Sequence, residues 1–510
     1  MHCWSRWWAS RKRSWDWRLI VSLRLVCCSG RAWRQARRAL HARIAEVLEC
    51  QFAEIAESRP ELLARHCAEA GLIEKAAGLW GRAGQQSLTR SALTEAAAQF
   101  TRAIAQLESV PITAALRRDQ IKLQVGLANA LMHVKGYAAP ETKSAFRQAR
   151  ALIEQAEELG EPPDDPLLLF SILYGFWVEH LLAFNGDLLH ELAAEFLTRA
   201  EKHGATVPLM IAHRTMGITL AFTGNIAEAR ARYTRVLALY DPAEHRLLVT
   251  RFGTDSQVQA LCYRSLNLWL LGYPEAAQAD TDHAVKVARE IGNAASLMLA
   301  LGVTNLTHML CGNYVAADAL ADELVVLADE KGVPLRKAEA TIRRGCVFAL
   351  TGRAADAVQM ISSGVTAWRS TGSTVWTPLY MSFLANAFAR LGKFDDAWRC
   401  IGEAMTAAET TKERWFEADI HRMAGEIALL SGEPDAAKAE GYFERALAVA
   451  RQQQAKSFEL RAAMSMARLW CGRGRRNEAR DLLAPVYCWF TVGFDTPDLK
   501  EAKTLLDELS

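Results

Sequence analysis

Along residues Leu297–Leu310 apolar side chains recur at 297, 298, 301, 306, 309 and 310, among others, a period near 3.6 that predicts a helix. Similar segments recur through most of the chain, and no run of alternating apolar and polar residues competes with them. A longer period lies above the helical one. Gly272, Gly312, Gly352, Gly392 and Gly432 are each 40 residues apart, and Gly474 follows after 42. Five residues after each stands an alanine: Ala277, Ala317, Ala357, Ala397, Ala437 and Ala479. The same pair occurs earlier as Gly224 with Ala229 and Gly71 with Ala76. Seven residues before the glycine the side chain is small: Gly217, Ser265, Asn305, Gly345, Ala385, Gly425 and Ala467.

Helix geometry gives these positions a meaning. A glycine supplies the left-handed residue that ends a first helix, and a second helix starts at once. The small residue in the first helix and the alanine in the second let the two backbones approach closely as an antiparallel pair. One pair cannot bury both its faces, so pairs must stack, and the predicted fold is an all-α solenoid. Three segments are expected: an atypical leader over 1–37, N-terminal helical repeats over 38–160, and the main array over 167–510. The string GEPPDDP (160–166) reads as the linker between the last two. Turn glycines in the earlier half, Gly71, Gly136, Gly186 and Gly224, come at uneven steps. The 42-residue step is assigned to two extra residues before Ala446 in AAKAEGYFERALAVA.

Composition fits a folded helical chain, with 51% apolar and 23% charged residues and only 14 Pro. The net charge of +2 hides an asymmetry. Residues 1–43 hold eleven Arg or Lys against Asp16 alone, which leaves 49 basic and 57 acidic residues elsewhere, a balance of −8. A mildly acidic array is a poor partner for phosphate backbones, so nucleic-acid binding by the solenoid is not expected. The leader, with six of the fifteen Trp, shows no helical period and is read as a misassigned or truncated start. The eleven Cys are scattered, with no C-x-x-C. Residues such as Cys262, Cys311, Cys346 and Cys471 lie in apolar helical segments and predict buried reduced thiols in a cytoplasmic protein. No apolar stretch reaches the ~18 to 20 residues of a membrane span.

The small–Gly–Ala spacing, in pieces such as GNIAEARARYTRVLALYDP (224–242) and GKFDDAWRCIGEAM (392–405), resembles the tetratricopeptide family, although 40 residues exceeds its usual repeat. That resemblance implies a right-handed superhelix of antiparallel helix pairs with a groove for proteins or peptides. HARIAEVLE (41–49), the stretch 61–104, LCYRSLNLWLLGYPEAA (261–277) and the stretch 455–509 also look like the helical tail of large bacterial signalling proteins. In those, a class III adenylate or guanylate cyclase domain or a winged helix precedes a P-loop, STAND-like ATPase module. The implied role is a regulatory, protein-binding tail separated from its catalytic parts. The alternatives are a chain that cooperates with a nucleotide cyclase, or a transcriptional regulator with the leader as its nucleic-acid arm.

Chemistry-bearing motifs are missing from the sequence. Gly392-Lys393 is followed by Phe394 and has Ala387 where a phosphate loop needs its first glycine. His190-Glu191 leads to no second histidine, and no G-x-S-x-G occurs. Asp395-Asp396 and Glu157-Glu158 read as solvated acids near helix ends. No enzymatic activity, cofactor or metal is therefore expected. In tetratricopeptide proteins the groove-facing positions fall mainly on the first helix of each pair, here three, six and ten residues before the turn glycine. The resemblance thus points to Ser382, Asn386 and Ala389, and to Arg422, Glu426 and Leu429, with Ser382, Asn386, Arg422 and Glu426 as the polar candidates for peptide binding. Trp269 and Trp398 are expected in the core.

Overall fold

The computed structural model describes residues 30–510 apart from 91, 112, 137–138, 162–164 and 432–433. Among the described residues there is no strand. The chain divides into two compact units between Leu127 and Ala128.

The N-terminal unit holds α1 (Gly30–Gln51), α2 (Ala53–Ser58), α3 (Pro60–Ala70), α4 (Ile73–Thr89), α5 (Leu93–Leu107) and the first part of α6 (Ala114–Val134). Residues 30–37, expected in the leader, are helical in α1, and Arg37 pairs with Glu69 of α3 at 2.7 Å. The remainder of the leader lies outside the described residues. Phe100 is held between two glycines: a Cβ on Gly84 or Gly126 would lie 2.8 or 2.6 Å from its ring.

The second unit continues with α7 (Pro140–Glu158), α8 (Leu167–Leu182), α9 (Gly186–His203), α10 (Thr206–Phe222) and α11 (Ile226–Leu239). After short helical turns within 242–252 come α12 (Ser256–Leu270), α13 (Pro274–Ile291), α14 (Ala294–Leu310), α15 (Tyr314–Lys331), α16 (Pro334–Leu350) and α17 (Ala354–Ser370). The array ends with α18 (Thr377–Arg390), α19 (Phe394–Thr411), α20 (Glu417–Leu430), α21 (Ala436–Gln452), α22 (Lys456–Gly472), α23 (Arg476–Cys488) and α24 (Pro497–Leu509). From α8 onward the helices pair as first and second members of a repeat, and the pairs stack into an α-solenoid. The expected linker at 160–166 is not a boundary. Phe146 of α7 fills the space beside Gly175 of α8, and Lys143 reaches Glu179 at 2.9 Å, so packing runs across that connection.

The repeat signals have the predicted geometry. Gly224, Gly272, Gly312, Gly352, Gly392 and Gly474 have φ between 72° and 92°. At Gly392 the Lys393 N–H donates back to the Phe388 carbonyl at 3.0 Å, closing the helix end. Gly186 behaves differently: it opens α9, and Asn185 caps that helix by accepting from the Leu188 N–H. Ala229, Ala277, Ala317, Ala357, Ala397 and Ala479 are all fully buried, each three residues into its helix.

One register differs. Gly432 lies outside the described residues, and Ala437 is exposed, while Ala439 is fully buried three residues into α21. The connection from α20 to α21 spans five residues (431–435) where that from α18 to α19 spans three (391–393), which accounts for the two extra residues. The small position of the first helix is matched in size by its neighbour. A Cβ on Gly217, Gly345 or Gly425 would fall 2.8, 2.7 or 2.4 Å from Tyr233, Ile361 or Phe443. Where the first helix carries the larger Asn305, the register position opposite is Ala321, and the Asn305 amide donates to the Ala317 carbonyl.

First helices are buried almost all round. Every residue from Met298 to Leu310 of α14 is buried, which is why its sequence is apolar on all faces. The second helices bury one stripe and expose the other.

Candidate functional site

The second unit winds far enough to touch itself. Leu182 is the last helical residue of α8, and its carbonyl accepts from the Thr374 and Val375 N–H groups at 2.7 and 3.1 Å. The carbonyl of Phe222, last in α10, accepts from Arg414 and Trp415 at 2.9 and 3.2 Å. Both donor pairs lie in the loops that precede first helices α18 and α20. The next repeats carry the pattern on: Ser457 donates to the Trp269 carbonyl, and the Arg461 guanidinium donates to the carbonyl of Leu310, last in α14. The Leu182, Phe222 and Leu310 carbonyls would otherwise be orphaned at helix ends and, with that of Trp269, which also accepts from the Gly272 N–H at 3.0 Å, lie at the negative end of a helix dipole, so N–H donors are their natural complement.

Aromatic rings fill this seam. Trp376 meets Phe222 edge to face with centroids 4.7 Å apart, and Trp415 packs on Trp376 at 5.5 Å. Trp376 sits in the left-handed region at φ 69°, a conformation costly for a bulky residue. Its N–H is held by both oxygens of buried Glu413 at 3.0 and 3.1 Å. Burial pushes the Glu413 carboxyl up to about 8, against the opposing pull of the Trp376 N–H, the Trp415 indole and the Arg343 charge. Arg343, fully buried, stacks over the Trp376 and Tyr380 rings at 4.7 and 5.3 Å.

The seam stops after α14. Leu350, Arg390 and Leu430 occupy the same last-helical position in α16, α18 and α20, and no backbone N–H among the described residues donates to their carbonyls. Side-chain exposure follows. Leu310 is 2% exposed, whereas Leu430 is 55% exposed; one position later Cys311 is 7% exposed and Leu391 is 40% exposed. Between these uncovered ends lies a groove of about 760 Å³ lined by Arg353, Asp356, Ala389, Leu391, Glu426 and Leu430, among others. Its lining combines apolar residues with both signs of charge. Arg353 is held by Asp356 at 2.8 Å and lies over the Phe348 ring, and Arg390 donates to Asn386 at 2.8 Å.

The residues singled out from the sequence divide between this groove and the interior. Glu426 and Ala389 line the groove. Glu426 accepts from Ser465 at 2.6 Å. Arg422 is half-buried, bound to Asp419 at 2.6 Å and 3.9 Å from Glu426. Asn386 is half-buried at the groove edge through its bond to Arg390, and Leu429 is half-buried. Ser382 does not face a groove: it is fully buried and donates to the Leu379 carbonyl at 2.7 Å, because a first helix here is covered on both sides. Trp269 is buried. Trp398 packs on Tyr442 and under Lys438.

Sequence reasoning missed Leu391, Leu430, Arg353 and the seam itself. A signal was present. Three pairs are joined to the next by two residues, at 204–205, 292–293 and 332–333, but six residues (371–376) precede α18 and five (412–416) precede α20, and both of these loops carry a Trp.

Among the described residues no three His, Cys, Asp or Glu converge as metal ligands, and no helix is long and apolar enough to cross a membrane. Cys262, Cys311, Cys346 and Cys400 are free and buried, and burial pushes the Cys346 thiol up to about 12.

No family model matches the chain. It is 24% identical over 447 residues to an uncharacterized protein of Rhizobium meliloti (strain 1021), a match covering 87% of this chain and 42% of that protein. The chain thus spans less than half the length of that relative. Among solved structures it is similar to a Rap protein complexed with competence and sporulation factor (TM-score 0.49, 12% identity, 80% of this chain and 99% of that one). It is also similar to a chain of the APC/C hetero-tetramer Cut9-Hcn1 (TM-score 0.47, 13% identity, 96% and 98%). A tetratricopeptide repeat protein from Parabacteroides merdae matches at TM-score 0.34 and 17% identity, over 54% and 98% of the two chains. At these TM-scores the likenesses decide neither fold nor function, and the solenoid assignment stands on the stacked helix pairs themselves.

Proposed function

We propose that the second unit is a protein-docking module and that the groove beside the uncovered ends of α16, α18 and α20 is its docking surface. The observation that carries this reading is the contrast between buried Leu310 and Cys311 and exposed Leu430 and Leu391 at matching positions. An apolar surface that the fold itself covers in one turn of the array is left open in the next, and open apolar grooves with a polar rim suit protein partners. Asn386, Arg422 and Glu426 are the polar groups proposed to orient the partner, Glu426 from the groove lining itself. The reading includes no cofactor, no metal and no reaction chemistry.

The wider setting we propose is a regulatory tail of a longer bacterial signalling protein of cyclase or STAND-ATPase type. The strings that resemble that family support it, as does a relative more than twice as long as the matched region. Docking would act by favouring one of two arrangements of a neighbouring domain, which requires different affinity for the two. Free buried thiols fit a reducing cytoplasm.

A photo-cross-linking side chain placed at Leu391 tests the docking surface in cells. A discrete adduct is expected there and not from Val315, which is 88% exposed on the outer helix α15. Equal labelling from both positions would exclude the groove as a specific site.

A further inference from the structure

The seam shows what kind of segment covers these helix ends, and we infer that the open groove takes the same kind from a partner protein. The occupant is an extended segment that presents two consecutive backbone N–H groups beside a Trp. This deepens the docking reading above and rests on it.

The open ends continue the row of helix ends that the seam covers. Two successive repeats are covered in the same way: Thr374 and Val375 donate to Leu182, then Arg414 and Trp415 donate to Phe222. In the first repeat Trp376 follows the two donors, and in the second Trp415 is itself a donor; both rings pack on Phe222 at the end of α10. Leu350, Arg390 and Leu430 repeat the acceptor position at the same spacing, with carbonyls that no described backbone N–H reaches. Each end is the negative end of a helix dipole with an apolar side chain at it or beside it: Leu182 and Phe222 where covered, Leu350, Leu391 and Leu430 where open. Only the covering loop is missing.

The groove fits that loop. A volume of about 760 Å³ is ample for one indole and the backbone beside it. Leu391 and Leu430 supply the apolar wall that Phe222 supplies at the seam. Arg353 and Arg390 stand at the rim, where a guanidinium can lie over an incoming ring as Arg343 lies over Trp376. A peptide recognised only through a charged terminus would leave the carbonyls unpaired, and buried unpaired carbonyls are costly.

The chain's own covering loop provides the probe. A labelled peptide of residues 372–379 (GSTVWTPL) is titrated against the full-length protein by fluorescence anisotropy. Saturable binding is expected. It should weaken at least about 10-fold when the two amides equivalent to Thr374 and Val375 are N-methylated, when Trp is replaced by Ala, and when the protein carries Leu430→Glu; Val315→Glu should change nothing. Absence of saturable binding up to millimolar peptide, or equal binding of the N-methylated peptide, overturns the inference. If the Leu391 cross-linker still traps a discrete partner while the peptide fails, the docking reading survives and the proposed partner chemistry does not.

Discussion

Phe222 and Trp376 meet edge to face, with ring centroids 4.7 Å apart, and that contact is where one turn of the array lands on the next. Ordinary repeat arrays contact only their neighbours and melt as a chain of local units. Here Phe222, Trp376 and Trp415 tie distant repeats together. Trp376→Ala removes a buried ring and its cation–π partner, at a cost of about 3–5 kcal/mol. The expected result is a lower urea midpoint by circular dichroism, together with faster hydrogen exchange at Thr374, Val375, Arg414 and Trp415. Loss of stability with unchanged protection at those four amides would mean that the seam is not what the ring supports.

Glycine to alanine has opposite signs in neighbouring helices. In α20 a Cβ on Gly425 would lie 2.4 Å from the buried Phe443 ring, which has no free space to enter. Gly425→Ala should therefore destabilise by about 1–3 kcal/mol, more than its gain in helix propensity. Gly402 in α19 and Gly441 in α21 have nothing within 4 Å of the same added atom. Alanine at either should stabilise by roughly 0.5–1 kcal/mol. Thermal melts of the three variants decide this, and a Gly425→Ala/Phe443→Leu double variant should recover part of the loss.

What was legible in the sequence was local. The Gly–Ala–small spacing is imposed within one helix pair, so a period along the chain reports it directly. What escaped was set by distant parts of the chain. Ser382 was placed in a groove by analogy with an open superhelix, yet the neighbouring turn covers it. The seam joins residues nearly two hundred positions apart, as Trp269 and Ser457 are, and no short period encodes that. Without the seam, the exposure of Leu391 and Leu430 had no reference against which to look unusual.

The register around residue 437 gives a sharp contrast between two alanines. The turn glycine and the five-residue spacing pointed to Ala437, but Ala439 occupies the buried position three residues into α21. Ala437→Leu should change stability by no more than about 0.5 kcal/mol, as surface substitutions do. Ala439→Leu should cost about 1–3 kcal/mol or more by overpacking the contact with α20. Urea denaturation of the two variants separates the alternatives, and equal effects would place the insertion inside the helix instead of the turn.

The last prediction concerns Glu413, whose carboxyl burial raises from the ordinary 4.5 to about 8. The folded protein holds this proton more tightly than the unfolded chain, so the group's contribution is fully present below about 4.5 and is lost as pH rises through about 8. Glu440, Glu459 and Glu478 act in the opposite sense. Trp470 and Arg475 hold the Glu440 carboxyl below its usual range; for Glu459, burial opposes the lowering but Lys456 and Arg451 outweigh it; Arg475 lowers Glu478. Their contributions disappear as pH falls below 4.5, outside the Glu413 window. Glu413→Gln keeps an acceptor for the Trp376 N–H and removes the titration. The urea midpoint of the wild type should decline between pH 5 and 8 relative to the variant, and the two curves should run parallel above that range. Parallel curves across the whole range would show that Glu413 remains ionised beneath the seam, and would shift the burden of balancing its charge onto Arg343.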